Sequence, residues 1–352
     1  MMLPVKKFLI TVLRFHGDVL LITPMLQAIK RQFPDAKVDL LVYKDTASIV
    51  EFEPRINNII EIQPSQKINF LFQIKNEIFL WKRLRGYEYD FALFFTTQWR
   101  LALIGRVLKK TLTAAVRDKK RENLFWRKSF SRLFPEAGSN HIIERNLMAL
   151  KTLGLEVLDE DKEIYISIPN KTIVSSSRLL ETYGVHKKYC VIHPCSRRLY
   201  KLWTKEGFVS LIAYLQLKNV QVILTSGPDE KEIKYLHDIE EMSLGKVVNL
   251  GGKTNMLESA EIIKGASIFV GLDSVASHIA AAVNTPSVVL FGPSNHVNWK
   301  PWSDKSEIIS RSYHEDYCNI HGDKEGKLGL CLCYIMPDRV IKLVDKILDG
   351  VG

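Results

Sequence analysis

The sequence of 352 residues predicts an α/β protein with two doubly wound parallel sheets. Short apolar runs alternate with amphipathic stretches of helical period through the first half of the chain. A polar, punctuated stretch at 159–177, DEDKEIYISIPNKTIVSSS, interrupts the alternation, which restarts at 188. We therefore expect two Rossmann-like domains that face each other across a cleft.

The first half opens with a β-loop-α-β unit. A core strand at 8–13 leads into a short loop, an amphipathic helix at 19–32 and a second strand at 37–43. Further elements are predicted at 45–53, 58–62, 67–85 and 89–95, of which 67–85 is a long helix, and a helix at 141–155 ends near Gly154. The loop after the first strand lies at the carboxyl edge of the sheet, where open parallel sheets bind ligands.

The second half repeats this plan. Strands are predicted at 188–193, 220–225, 246–250, 267–271 and 286–291, and helices at 205–218, from about 230 to 241, and at 255–264, 274–283 and 337–349. The resulting organisation is an N-terminal domain at 1–168, a linker at 169–185, a C-terminal domain at 186–336 and a closing helix at 337–352.

Composition narrows the class of protein. Hydrophobic residues make up 46% of the chain and charged residues 25%, as in ordinary soluble proteins. No apolar stretch reaches the roughly 18 residues needed to span a bilayer, and the N-terminus lacks a signal-peptide cleavage site, so we expect a cytoplasmic protein. Five cysteines fit a reducing compartment. The net charge of +10 favours anionic partners.

The clearest local motif is GASIFVGLDSVASHIAAAVNTPSVVLFGPS at 265–294. A buried strand delivers Asp273 and Ser274 to the start of an alanine-rich helix, where free backbone amides and the helix dipole favour a phosphate. His278 lies one turn further along the same face. The alternative is structural: Asp273 caps the helix and His278 is a satisfied surface histidine.

Cationic residues follow the first strand of the second half, in HPCSRRLYKLW at 193–203. Ser196, Arg197, Arg198 and Lys201 crowd the carboxyl end of this strand, toward the same cleft as Asp273. Positive charge at this place can neutralise a diphosphate leaving group. A solvated basic loop is the alternative.

Two further strand ends carry acids. The loop SGPDEKE at 226–232 contains Asp229, Glu230 and Glu232, which can hold a ribose hydroxyl, although an acidic helix start is favoured there. Asp18 is the titratable acid of the first loop. It can accept a proton from an acceptor hydroxyl, or it can cap the helix that follows.

Other chemistries find less support. No strand is followed by G-x-G-x-x-G, and GGKT at 251–254 lacks the first glycine of a P-loop. A zinc site is an open alternative with irregular spacing, made of Cys318, His321, Cys331 and Cys333. A basic belt of ten residues lacks a recognisable nucleic-acid module; it comprises Arg106, Lys109, Lys110, Arg117, Lys119, Lys120, Arg121, Arg127, Lys128 and Arg132.

Taken together, the motifs resemble a known family. Five segments are similar to segments of the ADP-heptose:lipopolysaccharide heptosyltransferases, glycosyltransferase family 9. They are RFHGDVLLITPMLQAIKRQFPDAKVDLLVY, HPCSRRLYKLW, LTSGPDEKE, VGLDSVASHIAAAVNTPSVVLFGPS and CLCYIMPDRV. The resemblance runs over nearly the whole chain in the family's order. The details RFHGD, FPDAK and HVNWKPWS are most similar to the heptosyltransferase III branch, which adds a branching heptose to the second inner-core heptose.

The resemblance implies a GT-B fold and metal-independent, inverting transfer from ADP-heptose, without a cofactor. It implies Asp18 as catalytic base, Lys201 at the donor phosphates, and Glu230 or Glu232 at the ribose and adenine. Donor contacts are implied for Ser196, Asp273, Ser274, Val275 and His278, and acceptor contacts for His16, Gly17, Arg117, Lys120 and Arg121. Two positions depart from the family pattern: His16 stands in place of a serine, and Val275 in place of a glycine.

The implied partners are ADP-heptose, a phosphorylated lipopolysaccharide core and the anionic cytoplasmic face of the inner membrane. The basic belt and the aromatic-rich helix at 67–85 are candidate docking surfaces, although most of these aromatics are expected to be core. The alternatives are a heptosyltransferase of another inner-core step, a related sugar-nucleotide transferase and, more remotely, a nucleic-acid-binding protein.

Overall fold

The chain divides into two compact units, Met1–Ser167 and Ile168–Gly352. The structure, a computed structural model, describes residues 5–64, 70–119, 123–136, 138, 140–198, 201–243, 247–292, 294–310 and 330–350. Each unit contains one six-stranded sheet, and the pairings within both sheets are parallel.

The first unit is a doubly wound sheet in the order β3-β2-β1-β4-β5-β6. Its strands are β1 (Lys7–Val12), β2 (Lys37–Tyr43), β3 (Asn58–Ile62), β4 (Phe91–Phe94), β5 (Leu112–Val116) and β6 (Arg132–Phe134). The order reverses between β1 and β4, which places the topological switch point beside the loop that carries Asp18. The predicted strands at 8–13, 37–43, 58–62 and 89–95 are confirmed, whereas β5 and β6 were not predicted.

The helices of the first unit cover this sheet. They are α1 (His16–Leu20), α2 (Thr23–Gln32), α3 (Phe70–Gly86), α4 (Trp99–Val107), α5 (Leu124–Arg127) and α6 (Ile142–Thr152), with 3₁₀ helices at Lys44–Val50 and Asp159–Lys162. The predicted helix at 19–32 is wrong as one element. The chain turns at Leu21 and Ile22, and the second helix begins at Thr23 with Pro24 in its first turn.

The second unit repeats the same order, β9-β8-β7-β10-β11-β12. Its strands are β7 (Tyr189–His193), β8 (Gln221–Leu224), β9 (Val248–Asn249), β10 (Ile268–Leu272), β11 (Ser287–Phe291) and β12 (Ser306–Ser310). Its helices are α7 (Asn170–Thr182), α8 (Lys205–Leu217), α9 (Glu230–Met242), α10 (Met256–Lys264), α11 (Val275–Ala282), α12 (His296–Trp299), α13 (Leu330–Cys333) and α14 (Pro337–Leu348). The switch point here lies between β7 and β10.

The predicted interdomain linker at 169–185 lies in the second unit. It forms α7, which packs against α10 within the second unit, where the Ser175 hydroxyl donates to Glu258 Oε1 at 2.8 Å. The C-terminal helix α14 also packs within this unit, against α8, β10 and β11. Asp345 on α14 pairs with Lys218 at the end of α8, 2.7 Å apart.

The central strands are apolar on both faces. In β1, Phe8, Leu9, Ile10 and Val12 are at most 1% exposed, because helices cover the sheet on either side. In the part of the chain that the structure describes, no helix is both long enough and apolar enough to cross a bilayer.

Candidate active site

Two loops meet at the switch point of the second sheet, and an ion pair joins them. Lys201 follows β7, Asp273 follows β10, and Lys201 Nζ lies 2.5 Å from Asp273 Oδ2. The side chains are 20% and 12% exposed, so the pair is shielded from most solvent. This contact holds a cation at the strand edge where phosphates bind in open α/β sheets.

The start of α11 adds hydrogen-bond donors to the same edge. Ser274 is the N-cap residue in an extended conformation, and its side chain does not cap the helix. Its Oγ is buried without a hydrogen-bond partner among the described residues. A helix of eight residues leaves its first amides without intrahelical acceptors, so this end favours an anion. Val275 is the first helical residue and is half-buried.

The structure rejects the capping alternative for Asp273, which pairs with Lys201 and precedes the N-cap residue. His278 lies one turn into α11 and is 4% exposed, so it is not a surface histidine. In the loop after β7, Ser196 is buried while Arg197 and Arg198 are exposed. Ser196 therefore lies with the strand end, and the two arginines lie on the solvent side.

In the loop after β8, one of the three acids, Asp229, has the helix-capping role expected of an acidic helix start. Asp229 caps α9 by accepting from the amides of Lys231 and Glu232. Glu230 is exposed, whereas half-buried Glu232 accepts from the Gly227 amide at 3.0 Å. Burial raises the pKa of the Glu232 carboxyl, an effect that the Gly227 hydrogen bond opposes and Asp229 reinforces. Of the two candidate ribose ligands, Glu232 is the one the loop holds in a defined position.

His193 ends β7 beside this edge, and our sequence analysis gave it no role. Its Nδ1 lies 3.1 Å from Thr225 Oγ1, and burial lowers its pKa from 6.5 to about 4. The ring is therefore neutral at pH 7, where it offers one donor and one acceptor. The sequence signal that could have identified His193 is its position at a strand end, directly before a proline and a basic loop.

This shift predicts an acid-sensitive second unit. Because the unfolded state binds the proton at higher pH than the native state, stability falls as the pH drops from 6.5 toward 4. The full loss is about 3 kcal/mol for one group shifted this far. Urea unfolding across this range should show a flatter pH dependence for His193→Gln. The matched control is His237→Gln, since the His237 side chain is 61% exposed. Equal slopes for both variants would contradict the assignment.

Asp18 lies in the first turn of α1, at the switch point of the first sheet. The N-cap residue of α1 is Phe15, and Asp18 lies inside the helix, so Asp18 is not the N-cap residue. Asp18 is 15% exposed, and Arg14 Nη1 lies 3.7 Å from its Oδ1. His16 and Gly17 share this turn and are half-buried. The carboxylate is thus presented by a short, ordered helical turn.

A second arginine near Asp18 escaped the sequence analysis. Arg145 is in the first turn of α6, and its Nε and Nη2 donate to Asn146 Oδ1 at 3.2 and 2.7 Å. Burial lowers the pKa of Arg145 to about 10, while the negative charge of Asp18 opposes this shift. The sequence offered no signal, because a charged residue on an amphipathic helix usually faces solvent.

The remaining sequence candidates are the three cationic acceptor residues and the possible zinc ligands. Arg117 directly follows β5 and is exposed. Lys120 and Arg121 lie outside the described residues, as do Cys318, His321 and the side chain of Cys331. Within the described residues no cluster of three potential metal ligands occurs, and Cys333 is half-buried.

Comparison with known proteins identifies the family of the chain. Residues 78–328 match glycosyltransferase family 9 (heptosyltransferase). The sequence is 36% identical over 340 residues to lipopolysaccharide heptosyltransferase 3 of Escherichia coli, covering 96% of this chain and 98% of that protein.

Solved structures show the same fold. A family 9 glycosyl transferase from Veillonella parvula has a TM-score of 0.84 at 18% identity, with 99% of this chain and 98% of that chain covered. E. coli heptosyltransferase WaaC with ADP has a TM-score of 0.74 at 17% identity, with 97% and 99% covered. The predicted GT-B fold is confirmed. The chain belongs to glycosyltransferase family 9, the heptosyltransferases.

Proposed function

We propose that this heptosyltransferase moves L-glycero-D-manno-heptose from ADP-heptose to a heptose of the lipopolysaccharide inner core, with inversion and without a metal ion. The observation that carries the donor assignment is the Lys201–Asp273 pair beside the start of α11. The similarity to lipopolysaccharide heptosyltransferase 3 of E. coli supports the choice of the branching step.

In the proposed mechanism, each unit supplies one half of the chemistry. Asp18 takes the proton from the attacking acceptor hydroxyl, which raises the nucleophilicity of its oxygen. Lys201 and the amides at the start of α11 stabilise the negative charge that develops on ADP as it leaves. Ser196, Val275 and His278 shape the donor pocket, and Glu232, more than Glu230, holds the ribose. Arg117, Lys120, Arg121, His16 and Gly17 contact the acceptor.

The stereochemistry and the metal requirement are tested on the product. NMR of the oligosaccharide made in the presence of EDTA should show an anomeric configuration opposite to that of the donor. A product that retains the donor configuration excludes the single displacement by an acceptor activated at Asp18. Turnover that EDTA abolishes and a divalent ion restores would contradict the metal-independent mechanism.

We further propose that the enzyme docks on an anionic membrane through what we call the α4–α5 surface: exposed Trp99, Leu103, Leu124 and Phe125. The ring centroids of Trp99 and Phe125 lie 6.0 Å apart, and the Arg106 Cζ lies over the Phe125 ring, 4.3 Å from its centroid. Further exposed cations lie in the same segment: Lys109, Lys110, Lys119, Arg127, Lys128 and Arg132. Exposed apolar side chains in a segment rich in exposed cations are typical of surfaces that lie in a lipid headgroup region.

The neighbouring helix α3 has a mixed character. Among its described aromatic side chains, Trp81 is partly buried against the core and Phe79 is exposed, so the expectation that most aromatics here are core is not confirmed. Leu80 and Leu84 are buried, whereas Ile74 and Ile78 are exposed. Arg100 on α4 pairs with Glu77 on α3, which ties this helix to the α4–α5 surface. We therefore include the exposed face of α3 in the proposed docking region.

Binding to vesicles of anionic and zwitterionic phospholipid tests this docking. The wild type should co-sediment with anionic vesicles and be released as salt shortens the Debye length from about 8 Å toward about 3 Å. Phe125→Ser should weaken binding about tenfold, the scale expected for one buried apolar side chain. Leu217→Ser is the matched control, because Leu217 is 88% exposed on the second unit. Salt-insensitive binding, or equal effects of both variants, would contradict the docking proposal.

A further inference from the structure

The two units carry a hydroxyl at the same place in their folds. Thr96 follows the end of β4 by two residues, and Ser274 follows the end of β10 by two residues. Both strands are fourth in their sheets and lie beside the first strand at the switch point. Each hydroxyl is followed by a helix, α4 or α11. Thr96 is therefore the counterpart, in the first unit, of a residue at the donor site of the second.

Both hydroxyls are buried and have no hydrogen-bond partner among the described residues. Thr96 is 5% exposed, and neither its Oγ1 nor Ser274 Oγ has a hydrogen-bond partner in the described part of the chain. Other buried threonines of the first unit differ: Thr11 Oγ1 donates to the Leu93 carbonyl at 3.0 Å, and Thr111 Oγ1 to the Tyr89 carbonyl at 2.9 Å. Since buried polar groups are normally satisfied, an orphaned hydroxyl at a ligand-binding edge calls for an explanation.

The surrounding loop is anchored by polar contacts at the strand ends. The side-chain Nε2 of Gln98 donates to the Leu13 carbonyl at 2.9 Å, and Tyr43 OH donates to Gln98 Oε1 at 3.0 Å. The Phe95 amide donates to the Thr11 carbonyl at 3.2 Å. Thr96 is thus held between Phe95 and Gln98, in a loop fixed to the end of β1. The same strand end leads through Leu13 into the turn that carries Asp18.

We propose that the Thr96 hydroxyl is a binding contact for a hydroxyl group of the acceptor sugar. This inference rests on the proposed function, because it requires the acceptor to occupy the switch point of the first unit. A threonine hydroxyl can donate and accept, which matches the chemistry of a sugar hydroxyl. Rotation about the Cα–Cβ bond changes the direction of the hydroxyl without moving the backbone.

Three variants separate binding from structure. Thr96→Val removes the hydroxyl at nearly constant shape, so kcat/KM for the acceptor should fall about tenfold, as for one lost hydrogen bond. Its melting temperature should be unchanged or higher, since no protein partner is left unsatisfied. Thr96→Ser should retain acceptor efficiency. Thr11→Val, which removes a satisfied hydroxyl, should lower the melting temperature and leave the acceptor KM unchanged.

The donor KM and the wild-type assay make the outcomes distinguishable. Thr96→Val should leave the donor KM at its wild-type value. An active wild type with an equally active Thr96→Val overturns the inference alone. A Thr96→Val that melts lower, as Thr11→Val does, and loses donor and acceptor efficiency together also overturns it. A wild type that releases no ADP with any core acceptor overturns the proposed function, and the inference with it.

Discussion

Asp18→Asn should lower kcat by about 10²- to 10⁴-fold, the usual contribution of general-base catalysis. The amide has the shape of the carboxylate but cannot accept the proton of the acceptor hydroxyl. Asp18 is not the N-cap residue of α1, and its ion pair with Arg14 is long and partly exposed, so loss of this pair should change stability little. The acceptor KM should stay within a few-fold of the wild type, and kcat should carry the loss.

Asp45→Asn is the matched control for this variant. Asp45 also lies in the first turn of a helical segment that follows a strand of the same sheet, in this case β2, and it is exposed. We expect wild-type turnover from it. Near-normal turnover of Asp18→Asn would remove Asp18 from the role of base, and an equal loss in both variants would indicate a general effect of charge at this edge.

Lys201→Met should lower kcat by roughly 10²- to 10³-fold, the scale of losing one preorganised charge-stabilising group. The methionine retains an apolar stem but provides no charge for the departing diphosphate, and it leaves Asp273 without its cation. The diphosphate is already anionic in the bound donor, and further negative charge develops on it as the glycosidic bond breaks, so the donor KM should rise and kcat should fall.

The second unit offers a closely matched control for Lys201. Lys205 Nζ lies 2.5 Å from Asp238 Oδ2, the same separation as in the Lys201–Asp273 pair, but both side chains are about one-third exposed. Lys205→Met should preserve turnover and cost little stability, as exposed ion pairs do. If Lys201→Met were as active as Lys205→Met, the donor phosphates would have to bind elsewhere.

The second sheet was the more predictable half of the fold. Its strands β7, β10 and β11 are apolar runs flanked by clear turn signals, and the structure reproduces them within one or two residues. Continuous apolar runs mark strands that are buried on both faces, so the sequence pattern and the burial agree. The same reasoning located Asp273, which directly follows β10, and Lys201, which lies in the loop after β7.

The unpredicted strands lie toward the edges of the sheets. β5 is LTAAV, whose small alanines are weak strand formers, and β6 is three residues long within a basic segment. β12 is likewise polar at several positions. In these strands pairing with an existing neighbour supplies the stability that local propensity does not, and a single sequence shows no trace of that pairing.

The candidate residues that the sequence analysis missed stand out only through tertiary contacts. Arg145 acquires its place near Asp18 from the packing of α6, and Thr96 stands out because its hydroxyl has no partner among the described residues. Neither property follows from residue type or spacing. By contrast, Asp18 was found because a lone acid in a short loop after a core strand is visible in the sequence itself.

The central claim is that ADP-heptose is the donor and a core heptose the acceptor. The most direct measurement is ADP release from ADP-heptose in the presence of EDTA, with and without a lipopolysaccharide core that lacks the branching heptose. We predict release that depends on this acceptor and resists the chelator. Release with a more truncated core alone would contradict the branching step, and an absence of release with every core tested would contradict the donor assignment.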